Sequence, residues 1–160
     1  MSKPKWLKIA ETYTGLAEIR GPKHNKVILG WLDKLGAWWR NDETPWCGVF
    51  VAHCLDFVDQ PYPKMYMRAK AWADYGSLLR RDRLAQGAIL VFDRAGGGHV
   101  GFYVGEDAGH YFVLGGNQGN AVSVMKLGKS RLLASRWPKG EPVIGKPVYM
   151  KGGVFSANEA

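Results

Sequence analysis

The chain has 160 residues, enough for one domain with a real core, and its 46% hydrophobic and 22% charged residues exclude a disordered chain. Its net charge of +8 draws anionic partners such as nucleic acid, anionic lipid or bacterial envelope polymers, without choosing among them. No apolar run nears the ~20 residues of a membrane span, and the polar start Met1-Ser-Lys-Pro-Lys-Trp6 lacks the apolar core of an export signal, so no stable membrane insertion is expected.

In chain order, Trp6, Ile9, Ala10 and Tyr13 fall at helical spacing, with Pro4 suited to a first turn. Val27, Ile28, Trp31, Leu32 and Leu35 carry a second helix that closes at Gly36. For the third, Thr44 suits the N-cap and Pro45 the first helical position, ahead of an apolar run from Trp46 to Val58. Apolar on nearly every side, this helix is expected to be buried. A short fourth helix is expected around Arg68 to Tyr75, stopped by Gly76.

From Gly87 the signals change to strands: Ala88–Phe92, His99–Val104, Tyr111–Leu114, Val122–Leu127 and Leu132–Trp137. The turns between the first four are Asp93–Gly98, Gly105–Gly109 and Gly115–Asn120. This order predicts an α+β domain with an antiparallel meander of four or five strands. The expected core covers about residues 6–137, and the Pro- and Gly-punctuated tail, 138–160, reads as a loop or an edge strand.

Two cysteines, Cys47 and Cys54, share the third helix. Seven residues of helix rise about 10 Å, beyond the roughly 7 Å limit between the Cα atoms of a disulfide, so both are expected as free thiols made in a reducing compartment. Cys54, in mid-helix, reads as a buried structural residue. Cys47, at the third helical position, lies where free N–H groups and the helix dipole favour a thiolate. Position alone leaves Cys47 level between the structural and the nucleophilic reading.

His99 tips that balance. It opens a strand after three glycines, on a face continued by Gly101, which has no side chain to block a substrate. His24, His53 and His110 read as ordinary histidines. If the hairpin turns around Gly105–Gly109, His99 lies opposite Gly116–Asn117, about 5 Å away. A one-residue register shift decides whether Asn117 shares the His99 face, which spacing leaves open. Asn117 also reads as a plain turn residue, and Gln118 and Asn120 are weaker candidates for the same place.

Three segments, Glu43-Thr-Pro-Trp-Cys-Gly-Val-Phe-Val51, Gly98-His-Val-Gly-Phe-Tyr-Val-Gly105 and Val113-Leu-Gly-Gly-Asn-Gln118, resemble the CHAP and NlpC-type cysteine peptidoglycan hydrolases, most of all the compact phage endolysins. The likeness runs from Glu18–Asn25 to about Trp137. It implies a papain-like fold with the nucleophile helix packed on the sheet, forming a single catalytic domain over 1–160. It further implies Cys47 as nucleophile, His99 as base and Asn117 as the group orienting it. Some relatives carry an acidic residue two positions before that Asn; this chain departs from them with Gly115.

The implied reaction is cleavage of an amide in the peptide stem of peptidoglycan, with His99 and Cys47 as an imidazolium–thiolate pair and an acyl-enzyme intermediate. The Cys47 N–H is the natural oxyanion donor, and the second donor has no candidate. No cofactor and no metal are expected, because Cys47 and Cys54 do not match zinc-ligand spacing. The expected chain is a monomer in the cytoplasm of a host bacterium, reaching the wall through an external release step. The rivals are a cell-wall-degrading effector toxin with the same chemistry, an acyltransferase or other protein-modifying cysteine enzyme, and a basic nucleic-acid-binding module. Against the last, Lys and Arg are spread along the chain and no nucleic-acid motif is present.

Overall fold

The computed structural model describes residues 3–18, 25–37 and 45–150. Thr44, His24 and the upstream stretch between Glu18 and Asn25 therefore lie outside the described residues. The architecture is α+β: three helices, α1 (Lys5–Thr12), α2 (Lys26–Leu35) and α3 (Cys47–Phe57), precede a six-stranded antiparallel sheet. The strands are β1 (Ser77–Leu78), β2 (Ile89–Arg94), β3 (Gly97–Glu106), β4 (His110–Gly115), β5 (Ser123–Gly128) and β6 (Leu132–Trp137). Among the described residues no helix is long and apolar enough to cross a membrane.

Local chemistry accounts for the helix ends. Asn25 caps α2, its Oδ1 accepting from Val27 N at 2.9 Å and Ile28 N at 3.4 Å, and Gly36 closes it in the left-handed region at φ 76°. Pro4 stands at the cap of α1 rather than in its first turn. α3 is buried from Cys47 through Leu55, as its all-round apolar sequence requires. It packs against α1, α2 and β3. Burying side chains such as Phe50 and Leu55 contributes about 1.5–3 kcal/mol each.

Four further expectations are corrected. α3 begins at Cys47, with Trp46 as its cap, so Pro45 precedes the helix and Cys47 is its first residue rather than its third. The fourth helix reduces to a 3-10 turn, Ala69–Trp72; Trp72 is pinned by its Nε1 donating to the Tyr66 carbonyl at 3.0 Å, and Gly76 turns left-handed at φ 56°. β3 begins at Gly97, because Gly97 and Gly98 pair with Arg94 and Asp93 and leave Ala95-Gly96 as the turn.

The fourth correction concerns the sheet. β2, β3, β4 and β5 form the expected meander, but β6 returns to the other side of β2 and β1 pairs with β6 at the far edge. The order is β1-β6-β2-β3-β4-β5. β2 is thereby central, and Ile89 to Phe92 is continuously buried rather than alternating. The tail runs back along the end of β3, with Glu106 N donating to the Val148 carbonyl at 2.8 Å and Met150 N to the Glu106 carbonyl at 2.7 Å.

Candidate active site

Cys47 stands at the N-terminus of α3 and is 7% exposed, whereas Cys54 is fully buried. Both are free thiols. The cap residue Trp46 is held from the side, its Nε1 donating to Glu18 Oε2 at 3.3 Å. Gly48 is required by the segment that crosses the helix start, since a Cβ there would overlap the Tyr66 carbonyl. That close approach brings Met67, Arg68, Ala69 and Lys70 beside Cys47 as one wall of a cleft.

The Cys47 sulfur lies against the backbone N–H groups of Val100, Gly48 and Cys47 itself. Burial pushes the thiol up, and these N–H groups, with the Arg94 charge, act in the opposite direction without overcoming it. Val100 directly follows His99 in β3, so the nucleophile candidate meets the strand at its histidine end.

His99 is 1% exposed and pairs across the ladder with Phe92. Its Nε2 lies 2.8 Å from Gln118 Oε1, and its Nδ1 is buried without a hydrogen-bond partner. Gln118 fixes which proton is where. Its amide nitrogen donates to the carbonyls of Val113 at 3.1 Å and Ser123 at 2.7 Å, so its oxygen must face the ring. Nε2 therefore carries the ring proton and donates it to Gln118. Nδ1 is left with the lone pair, the form a general base needs.

The ring partner is thus Gln118 and not Asn117. Extended to the start of β3, the register Phe102↔Leu114 would set His99 opposite Asn117, but the β3–β4 ladder leaves off at Leu114 and β4 ends at Gly115. The chain then turns through left-handed Asn117 (φ 58°), Gly119 (φ 65°) and Asn120 (φ 61°), and Gln118 folds back under the histidine, 2% exposed. A Cβ at Gly115 would stand 2.6 Å from Gln118 Oε1 and 3.5 Å from His99 Nε2. The carboxamide of Gln118 fills the space a side chain at 115 would occupy, which is the physical content of the missing acidic residue there. That glycine was the signal in the sequence that could have pointed to Gln118.

Asn117 lines the cleft that contains Cys47, so it faces the same space in a different capacity. Gly101 is corrected as well. It is buried, and a Cβ there would come 2.5 Å from Val113 Cγ1, so its small size serves packing between β3 and β4 and not substrate access.

Burial lowers the His99 pKa from its ordinary value, with Arg94 and Arg131 acting in the same direction and the Gln118 oxygen opposing. Taken with the raised thiol, these directions favour a resting pair of neutral thiol and neutral imidazole over the expected thiolate and imidazolium.

The cleft has a volume of about 450 Å³ and is lined by Pro45 and Cys47 on one side, the 67–70 wall on another, and the Arg94–Gly98 turn opposite. A larger hollow of about 560 Å³ lies elsewhere, between Leu78–Asp82 and Leu133–Arg136. Its one hydroxyl nucleophile, Ser135, is buried and donates to the Leu79 carbonyl at 2.6 Å, so it offers no comparable chemistry. Among the described residues, no group of three or more His, Cys, Asp or Glu could hold a metal ion.

His53 points into an aromatic box, stacked on Trp31 at 5.0 Å and bonded through Nε2 to the Tyr13 hydroxyl at 2.9 Å. His110 opens β4, its Nδ1 3.1 Å from Asp107. Both are structural.

The chain matches no protein-family model and no curated protein sequence. The geometry of Cys47, His99 and Gln118 carries the functional argument instead.

Proposed function

We propose that the protein is a cysteine hydrolase that cleaves an amide bond in the peptide stem of bacterial peptidoglycan, acting as a phage endolysin. The observation that carries this reading is the contact of Gln118 Oε1 with His99 Nε2 at 2.8 Å, from which the histidine tautomer follows. A glutamine held by two carbonyls faces Nε2 and leaves Nδ1 without a partner, one residue along β3 from the Val100 N–H that faces the helix-terminal thiol. A structural cysteine and histidine require no such arrangement. The sequence resemblance to cysteine peptidoglycan hydrolases supplies the substrate class, and the charge of +8 suits an anionic wall.

The chemistry is acyl transfer. Cys47 Sγ attacks the amide carbonyl carbon as its proton passes to His99 Nδ1, and Gln118 Oε1 supports the imidazolium that forms. The N–H of Cys47, the first residue of α3, has no acceptor within the helix and would turn to the oxyanion. His99 returns the proton to the departing amine, leaving a thioester. Water then attacks the thioester, giving its proton to Nδ1, and releases a carboxylate and the free thiol.

The test is digestion of purified peptidoglycan followed by mass spectrometry. Wild-type protein should generate one new amine and one new carboxylate per cut, and Cys54→Ala should do the same. Cys47→Ala should generate neither while remaining folded. Cleavage by Cys47→Ala at the wild-type rate would remove the mechanism.

A further inference from the structure

Three cations converge on the cleft. Arg68 caps the 3-10 turn Ala69–Trp72, Lys70 lies within it, and Arg94 ends β2. Among the described residues lining the cleft no side chain is acidic. Lys70 reaches Asp93 at 3.3 Å with both side chains more than half exposed, a weak pairing in water. Arg94 acts electrostatically on both Cys47 and His99, which places its charge within range of the reacting atoms.

The surrounding backbone holds this arrangement open. Gly96 and Gly97 have no heavy atom within 4 Å of where a Cβ would stand, so the turn beside Arg94 is bare where it faces the 67–70 wall. At Gly98 a Cβ would meet the Lys70 Cγ at 3.0 Å, so the lysine stem lies directly along the turn. Like charges gathered beside a nucleophile repel one another until an anion joins them, and a concave site focuses their field.

We infer that this cleft contains an anion subsite in which Arg68, Lys70 and Arg94 receive a substrate carboxylate close to the scissile amide. The inference rests on Cys47 as the reactive thiol, and it narrows the substrate to stem peptides whose acidic residue beside the cut is free rather than amidated. Arginine suits this task, since its planar fork matches a carboxylate.

Alkylation of Cys47 tests the subsite without requiring any peptidoglycan. Iodoacetate and iodoacetamide deliver the same carbon to the sulfur with loss of iodide, but only the first carries a carboxylate. Cys54 is fully buried, so the reaction reports on Cys47. At low salt, the iodoacetate-to-iodoacetamide rate ratio should exceed that of free cysteine by about fivefold or more. Arg94→Gln and Arg68→Gln should each lower it, and so should about 1 M salt, where the Debye length is about 3 Å. In parallel, a stem peptide with the free carboxylate should show a KM about fivefold below that of its amidated twin, a difference the arginine variants erase. A ratio equal to that of free cysteine and indifferent to both substitutions would overturn the subsite. If the ratio behaves as expected but no peptide is cleaved, the subsite stands and the hydrolase reading falls.

Discussion

Gln118 Oε1 lies 2.8 Å from His99 Nε2, within the space that a side chain on Gly115 would claim. The glycine and the glutamine are two halves of one arrangement: the strand gives up a side chain, and the turn after it supplies one. The carboxamide is anchored by two carbonyls, Val113 and Ser123, so it presents a fixed oxygen rather than a rotating amide.

Gln118→Ala should therefore lower kcat by about ten- to a hundredfold, toward the lower end of what a positioned side chain contributes, with KM little altered. Combined with His99→Ala it should add almost nothing, because the two act as a unit. Asn117→Gly, which suits the left-handed backbone at φ 58°, should act mainly on KM, as expected of a residue that lines the cleft without touching the ring. Steady-state kinetics on a stem peptide separates the two. A large kcat loss in Asn117→Gly beside a wild-type Gln118→Ala would return the orienting role to Asn117.

The pH profile follows from the burial of His99. Only the neutral ring can take the thiol proton, so activity is lost as pH falls through the His99 pKa, which lies below its ordinary value of 6.5. The acid limb of kcat/KM should accordingly have its midpoint below 6.5. Gln118 favours the charged ring, so Gln118→Ala should move that limb to still lower pH. Arg94 disfavours it, so Arg94→Gln should move the limb upward. Shifts of the opposite sign would contradict the electrostatic account of the site.

Gly48→Ala tests the close approach that shapes the cleft. Alanine is the better helix former by about 1 kcal/mol, but its Cβ would overlap the Tyr66 carbonyl, a backbone atom with little room to yield. Overpacking of this kind costs about 1–3 kcal/mol, so the overlap outweighs the propensity gain. Urea unfolding should show net destabilisation, and the cleft wall at 67–70 should shift enough to reduce turnover. A variant more stable than wild type would mean that the wall yields freely.

His53 predicts how stability depends on pH. Burial first, and then the Lys34 charge, lowers its folded pKa from 6.5 to about 4, with Asp56 opposing. Between those values the unfolded chain binds the proton and the folded protein does not, so stability is full above about 6.5 and falls as pH drops toward 4. His99, also lowered, adds to the same trend. His53→Gln removes one titrating group, so its urea midpoint should fall less between pH 7 and pH 5 than that of wild type. An unchanged difference would show that His53 titrates alike in both states.

The sequence alone determined the α+β order, the close of α2, the burial of α3, and the placing of Cys47 at a helix start and of His99 on a strand. Each of these is written in local chemistry: a closing Gly36, an unbroken apolar run, glycines before a histidine. Tertiary structure decided the rest. The return of β6 to the far side of β2 is a long-range pairing that no local period encodes. Gln118 replaced Asn117 because left-handed backbone at 117 swung the following side chain under the ring, a matter of one dihedral rather than of residue type. Arg68, Lys70 and Arg94 were scattered charges in the chain and became one cleft only when Gly48 let the 66–70 segment cross the start of α3. Spacing along a chain sets which face a residue takes within its own element. Which elements meet depends on close contacts between distant segments, and those exist only in the folded molecule.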